Sequence, residues 1–155
     1  MRLAPEGGTV GRMARLPRSA LPAQAIYHVT ARGVAQCDIF LDDDDRQGFI
    51  RLLRRVARRW HWRCPAYTLM SNHFHLLVDS RLEDLSLGMH GMNGTYAQQF
   101  NERYERVGHL FQGRFDARVL RDDEHLENAC EYIWNNPVRI GRCETAADWP
   151  WNGRI

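Results

Sequence analysis

Two segments with helical spacing each stand between runs typical of β-strands, and this order constrains the fold more than any other feature of the sequence. The first helical segment begins at the carboxylates of Asp42 to Asp45, which supply an N-cap and an acidic first turn, and runs for about 15 residues. Its apolar positions recur at i, i+3, i+4 and i+7: Phe49, Leu52, Leu53, Val56 and Trp60. The second segment runs from about Asp84 to Arg106.

Four runs are predicted to be strands. They are Ala25 to Ala31, Trp62 to Met70, Phe74 to Asp79 and Phe115 to Arg121. The short turn at Ser71-Asn72 joins the second and third runs into a hairpin. The order is therefore β-α-β-β-α-β, which predicts an α+β fold of the ferredoxin-like split β-α-β kind. We expect a four-stranded antiparallel sheet with helices on one face.

A further helix follows the last predicted strand. It opens at Asp122-Asp123-Glu124 and is expected to end at Pro137, because a residue before proline is disfavoured in helical geometry. On the second helix, Tyr96, Phe100 and Tyr104 form an aromatic stripe with i, i+4 spacing, which predicts core packing rather than base stacking.

The length and composition fit one globular domain. With 155 residues, 44% apolar and 26% charged, the chain resembles ordinary soluble proteins. No apolar run approaches the roughly 20 residues of a membrane span, and the N-terminus has no secretory signal, so we expect a cytoplasmic protein. Residues 1–24 contain glycines, prolines and arginines without an apolar period and are expected to form a flexible basic arm. Residues 25–155 would form the single domain.

The cysteines and basic residues are weaker indicators. Four scattered cysteines, with no Cys-x-x-Cys pair, predict reduced and mostly packed thiols. All 21 basic residues are arginine, whose planar fork suits phosphate, but a GC-rich genome explains this bias equally well. Five arginines on the first helix predict a solvated face, with contact to DNA as the alternative: Arg51, Arg54, Arg55, Arg58 and Arg59.

A pair of histidines lies on one predicted strand. His73 and His75 flank Phe74, and because strand side chains alternate, the two imidazoles point to the same face while Phe74 points to the other. Two imidazoles one pleat apart can share a metal ion. The alternative is a pair of half-exposed histidines on a sheet.

Tyr132 and Asn136 are four residues apart and so share a helix face. Asn136 precedes Pro137, which should place it at a frayed helix end with its amide oxygen turned outward. A tyrosine beside a cation can act as a nucleophile. The alternative is a partly buried packing residue, but other side chains can fill that role: Leu126, Ala129, Cys130 and Ile133.

Together these motifs resemble the single-tyrosine HUH transposases, in which two histidines flank a hydrophobic residue. More narrowly, the chain resembles the REP-associated tyrosine transposases, relatives of the insertion-sequence-200-like enzymes. The resemblance runs from about Met13 to Trp151. Its motifs are Tyr27-His-Val-Thr-Ala-Arg-Gly33, Ile39-Phe40 with the acidic run that follows, Tyr67-Thr-Leu-Met-Ser-Asn-His-Phe-His-Leu-Leu-Val78, Gly108-His-Leu-Phe-Gln-Gly-Arg-Phe115 and Tyr132-Ile-Trp-Asn-Asn-Pro-Val-Arg139.

This resemblance implies a function and a site. Tyr132 would be the nucleophile that forms a 5′-phosphotyrosine bond, and His73, His75 and Asn136 would hold a divalent metal, Mg²⁺ or Mn²⁺. The partner would be single-stranded DNA with a hairpin or palindrome of the REP type, cut and then rejoined by a monomer or homodimer. Such a protein would lie on the nucleoid when bound to DNA.

Two positively charged residues are candidates for binding DNA. Arg32 and Arg114 would contact the DNA backbone. Val34 follows Arg32-Gly33 where many relatives carry asparagine, which bears on the DNA that is recognised.

Two other functions remain open from the sequence. One is a catalytically silent protein, derived from a transposase, that binds hairpin DNA without using Tyr132 or a metal. The other is a metal-dependent hydrolase in which His73 and His75 hold zinc, with His28 on the first strand as a third ligand.

Overall fold

The computed structural model describes residues 18–120 and 124–155, and their elements follow the predicted order. The strands are β1 (Gln24–Arg32), β2 (Arg63–Leu69), β3 (His73–Arg81), β4 (Asp116–Leu120) and β5 (Asn152–Gly153). The helices are α1 (Asp43–Arg59), α2 (Leu82–Arg103), α3 (Glu124–Trp134) and α4 (Asn136–Arg139). Short 3-10 turns cover Arg18–Ala20, Val34–Gln36 and Ala146–Asp148.

The strands form one antiparallel sheet in the order β4-β1-β3-β2-β5, which confirms the predicted α+β class. The sheet has five strands rather than the four expected, because β5 adds a two-residue edge beside β2. Gly153 pairs with Tyr67, and a Cβ at position 153 would lie only 2.4 Å from the tyrosine hydroxyl. So short a strand has no alternation that a sequence pattern could reveal.

Helices α1 and α2 pack on one face of this sheet and form the main core with it. Tyr96 and Phe100 are each only 3% exposed, and Tyr104 packs against the same core, so the prediction for the aromatic stripe is confirmed. The five arginines of α1 are all exposed, as expected of a solvated face. Helix α2 ends at Arg103, three residues before the predicted end, because Glu105 has a positive φ of 49°.

Helix α3 packs on the opposite face of the sheet, which the prediction of helices on one face did not include. It is held there by a separate cluster, here called the second core, which consists of the buried residues Ala66, Leu77, Cys130 and Ile133. The helix ends at Trp134 rather than at Pro137. Pro137 instead lies in the first turn of α4, where its fixed φ and missing N–H suit a helix start.

The predicted N-terminal arm is only partly described. Residues 1–17 lie outside the described residues, and for them flexibility remains a prediction. In the described remainder, Leu21 packs against the main core and the Tyr27 hydroxyl donates a hydrogen bond to the Pro22 carbonyl. All four cysteines are free thiols, and Cys64 and Cys130 are buried. None of the described helices is both long and apolar enough to cross a membrane.

A buried carboxylate joins the start of α1 to the end of α2. The Asp45 side chain, 4% exposed, accepts hydrogen bonds from the Arg103 guanidinium, the Tyr104 hydroxyl and the Leu41 backbone N–H, each at 2.8 Å. Asp45→Ala would leave the Leu41 N–H without its acceptor and the Tyr104 hydroxyl with only the longer contact to Asp42 (3.4 Å), while Arg103 would keep its contacts with Asp42. We expect the free energy of unfolding to fall by about 2 kcal/mol, measured by urea denaturation.

The matched control for this prediction is Asp44→Ala. The Asp44 carboxylate is 79% exposed and lies 3.7 Å from Arg103, so its loss should change the free energy of unfolding by less than about 0.5 kcal/mol. Equal effects of the two substitutions would contradict the role given to Asp45.

Candidate active site

The register between β1 and β3 places the histidine pair beside the end of β1. Arg32 lies opposite His73, and Thr30 lies opposite His75. The two imidazoles share one face with ring centroids 5.0 Å apart, while Phe74 is fully buried on the other face. The structure therefore gives the strand pair the arrangement that alternation predicts.

Both histidines use their Nδ1 atoms in contacts within the sheet region. Nδ1 of His73 lies 2.7 Å from Oδ1 of Asn72. Nδ1 of His75 lies 2.9 Å from Nε2 of His28 and 3.2 Å from Oγ1 of Thr30. Within residues 18–120 and 124–155, no hydrogen bond engages Nε2 of His73 or His75. These two Nε2 atoms are the ones open to a ligand.

The environment keeps both imidazoles neutral at neutral pH. Burial, and to a lesser extent the charge of Arg32, lower the pKa of His73 to about 4. Burial also lowers the pKa of His75 to about 3, with contributions from His28, His73 and Arg32. A metal binds the neutral imidazole, so this protonation state suits two metal ligands.

Tyr132 projects from α3 over the same sheet face. Its side chain is 49% exposed, and its ring lies 6.4 Å from that of His28 in an edge-on arrangement. The guanidinium of Arg139, on α4, lies 4.9 Å from the centre of the Tyr132 ring. Cys130 and Ile133 are buried in the second core, so the helix packs without the tyrosine, as the sequence predicted.

Asn136 lies one turn beyond Tyr132, at the junction of α3 and α4. Its Nδ2 donates hydrogen bonds to the carbonyls of Tyr132 (3.2 Å) and Ile133 (3.4 Å). Because carbonyls only accept, the amide nitrogen faces the helix and Oδ1 points away from it. No hydrogen bond joins Asn136 to His73 or His75 in the described part of the chain, and its role as a metal ligand remains a prediction.

The two arginines predicted to contact DNA lie at one end of the sheet. Arg32 is exposed at the end of β1, and Arg114 is exposed in the segment that leads into β4. This segment runs beside the end of β1, because the backbone N–H of Gln112 donates to the Arg32 carbonyl (2.7 Å) and Gly33 pairs with Phe111. Arg32 also lies opposite His73.

Sequence reasoning missed four of the contacts around this site. Asn72 and Thr30 contact the histidines, Arg139 covers the tyrosine ring, and His28 was considered only as a zinc ligand. Alternation along β1 puts His28, Thr30 and Arg32 on one face, but it does not say which strand lies beside them.

The zinc hydrolase gains no support from this geometry. Nε2 of His28 faces Nδ1 of His75 rather than completing a cage with the open Nε2 atoms. No three His, Cys, Asp or Glu side chains are grouped so as to hold a metal in residues 18–120 and 124–155. A site built from His73 and His75 therefore needs an amide or another donor.

Comparison with known proteins points to one family. The sequence profile of the family described as "Transposase IS200 like" matches residues 23–136. A Haemophilus influenzae protein that carries the name REP-associated tyrosine transposase is 27% identical over 111 residues, which covers 64% of this chain. The match spans 62% of the length of that relative.

Solved structures share the fold. A REP-associated tyrosine transposase bound to a REP hairpin superposes with a TM-score of 0.67 at 18% identity, covering 83% of this chain and 75% of that one. A Deinococcus radiodurans R1 protein described as a transposase superposes with a TM-score of 0.51 at 17% identity, covering 75% of this chain and 93% of that protein. A bacterial tRNA(His) guanylyltransferase-like protein superposes with a TM-score of 0.52 at 15% identity, covering 77% of this chain and 67% of that protein. The fold alone therefore does not determine the activity. The profile match over most of the chain does decide the family: the chain belongs to the IS200-like transposases and, within them, is similar to the REP-associated tyrosine transposases.

Proposed function

We propose that this chain cuts and rejoins single-stranded DNA with Tyr132 as the nucleophile. The observation that carries the proposal is the meeting, on one sheet face, of a half-exposed tyrosine and two neutral imidazoles with open Nε2 atoms. Membership of the IS200-like transposase family supports a DNA-processing reaction at this face.

The residues fit a divalent metal. His73 and His75 would hold it through Nε2, and Asn136 would supply its outward-facing amide oxygen. Mixed nitrogen and oxygen donors suit Mn²⁺, and Mg²⁺ is the other candidate. When bound, the ion would polarise a phosphoryl oxygen and offset the negative charge that develops at phosphorus.

The chain's own part in the reaction is covalent. The Tyr132 oxygen forms a bond to the scissile phosphorus while the bond from phosphorus to the 3′ oxygen breaks. The tyrosine gives up a proton and the leaving 3′ oxygen gains one, so the products are a 5′-phosphotyrosine and a 3′-OH. Attack of a 3′-OH on this linkage rejoins the strand without ATP, because the phosphotyrosine keeps the energy of the broken bond.

The proposed substrate is a single strand beside a folded hairpin, since a relative with this fold is bound to a REP hairpin. Arg32 and Arg114, at the histidine end of the sheet, would contact its backbone. We place this activity in the cytoplasm, on the nucleoid, carried out by a monomer or a homodimer.

Covalent trapping tests the proposal. The full chain is incubated with Mn²⁺ and hairpin DNA that carries single-stranded flanks, labelled at either the 5′ or the 3′ end, and then run on a denaturing gel. We expect the 3′ label to stay with the protein and the 5′ label to leave on a shorter strand. EDTA should abolish both products.

Each other result has a distinct meaning. A 5′ label retained on the protein would contradict the proposed polarity. Tight binding of the hairpin with no adduct at any metal concentration would identify a catalytically silent DNA-binding protein instead.

Arg139 provides a second prediction. Its guanidinium lies over the Tyr132 ring, so Arg139→Ala should leave the ring less ordered and remove a positive charge from beside Tyr132. A cation–π contact of about 1 kcal/mol corresponds to a five- to tenfold slower rate of adduct formation, measured in single-turnover experiments. Arg142→Ala, which removes a nearby exposed arginine, is the matched control. Equal rates for both variants would show that the contact has no role.

A further inference from the structure

Three histidines, rather than two, are in contact on the sheet face below Tyr132. His28 is half-buried on β1, and its Nε2 lies 2.9 Å from Nδ1 of His75, with ring centroids 5.1 Å apart. The His28 ring also lies near the Tyr132 ring, with centroids 6.4 Å apart and an interplanar angle of 74°. His28 therefore contacts both His75 and Tyr132.

The tautomer of His73 follows from its neighbours. Nδ2 of Asn72 lies 3.3 Å from the carbonyl of Gln36, which can only accept, so the amide nitrogen faces Gln36 and Oδ1 faces His73. Oδ1 is also only an acceptor, so Nδ1 of His73 must carry the proton. A neutral imidazole has only one N–H. Nε2 of His73 therefore carries the lone pair that can bind a metal.

We infer that His28 is a positioning residue for His75. Its Nε2 accepts the Nδ1–H of His75, as Oδ1 of Asn72 accepts that of His73, and this leaves the Nε2 lone pair of His75 directed at the metal. This rests on the proposed function in taking His75 as a ligand. Metal-binding histidines generally donate their second ring N–H to a neighbouring acceptor, which fixes both the tautomer and the ring orientation.

The geometry favours His28 over the other candidates for this role. Thr30 is farther from Nδ1 of His75, at 3.2 Å against 2.9 Å for His28. Nε2 of His28 faces Nδ1 of His75 and is therefore not available as a third ligand atom. His28 also packs edge-on against Tyr132, so one ring orders the metal ligand and limits the positions of the nucleophile.

Two variants of the full chain separate the hydrogen bond from the ring packing. His28→Phe keeps an aromatic ring beside Tyr132 but removes the acceptor, whereas His28→Gln keeps an oxygen acceptor and removes the ring. His90→Ala, an exposed histidine on α2, is the control.

The first measurement uses neither metal nor DNA. Long-range ¹⁵N–¹H NMR on the imidazoles should show His75 protonated on Nδ1 in the wild type and in His28→Gln. In His28→Phe we expect a shift towards the Nε2–H form. His73, which relies on Asn72, should keep its tautomer in every variant.

The second measurement is calorimetric titration with Mn²⁺ alone. His28→Phe should bind about 10- to 100-fold more weakly than the wild type, and His28→Gln should recover most of that loss. The inference is overturned if His75 of the wild type carries its proton on Nε2, or if His28→Phe retains both the tautomer and the affinity. It is also overturned if both variants lose affinity equally with the tautomer unchanged, because His28 would then be a ligand itself.

Failure of the proposed function would look different. A wild type that shows the expected tautomer and binds Mn²⁺, but forms no covalent adduct with hairpin DNA, would leave the role of His28 standing and remove Tyr132 as a nucleophile. A wild type that forms the adduct, with His28 variants that keep the His75 tautomer and the Mn²⁺ affinity, would support Tyr132 as the nucleophile and remove the role of His28.

Discussion

Tyr132→Phe should form no covalent adduct with hairpin DNA, a loss of at least about 10³-fold, while still binding the same DNA as the wild type does. The substitution removes one oxygen, the atom that would attack phosphorus, and leaves the ring. Because the side chain is half exposed and α3 is anchored by Cys130 and Ile133, the fold should not change. Denaturing gels measure the adduct, and a mobility shift on a native gel measures binding.

Tyr104→Phe is the matched control for Tyr132→Phe. Tyr104 packs on α2 on the far side of the sheet, so losing its hydroxyl should lower stability through Asp45 without touching adduct formation. An adduct that persists in Tyr132→Phe would mean that another residue attacks the phosphate. Loss of DNA binding in that variant would place the tyrosine in recognition rather than in chemistry.

Removal of one of the two proposed histidine ligands should have the next largest effect. His73→Ala takes away one of two open Nε2 atoms, and we expect at least about a 100-fold loss of Mn²⁺ affinity with a parallel loss of adduct at limiting metal. Calorimetry measures the affinity in the absence of DNA. High Mn²⁺ should restore part of the adduct, because Tyr132 itself is unchanged.

Asn136→Ala tests the third predicted ligand in the same assay. If its amide oxygen binds the ion, affinity falls in this variant as well, although by less than in His73→Ala. Asn136 also donates to the carbonyls of Tyr132 and Ile133, so the stability of each variant is measured alongside. An unchanged affinity would limit the protein ligands to the two histidines. An unchanged affinity in His73→Ala would remove the metal site from the proposal.

The histidine pair could be predicted from sequence because the information is local. Alternation along a strand has a period of two, so His73, Phe74 and His75 fix their own faces wherever the strand lies. The order of strands and helices was predictable for a similar reason, because helix caps and apolar spacing depend only on residues within each segment. Asp42, for example, accepts from the backbone N–H of Asp45 as an N-cap should.

The remainder of the site depends on pairing between distant segments. His28 lies 47 residues before His75, and only the register of β1 against β3 brings the two rings together. A shift of that register by one residue would turn His28 to the other face. The position of α3 on the opposite sheet face, and the continuation of the chain through Pro137 into α4, likewise follow from packing that no single segment encodes.

The separation of the second core from the main core has a consequence for substitutions at its buried positions. None of its four buried members belongs to the main core, and burial of Cys130 and Ile133 there contributes a few kcal/mol at most, on the order of 2 kcal/mol for each side chain. The apolar packing that holds α3 and Tyr132 over the sheet therefore involves different buried side chains from the packing of α1 and α2 on the other face. We expect substitutions of Cys130 or Ile133 to displace Tyr132, and so to weaken the proposed cleavage, while the main core stays folded.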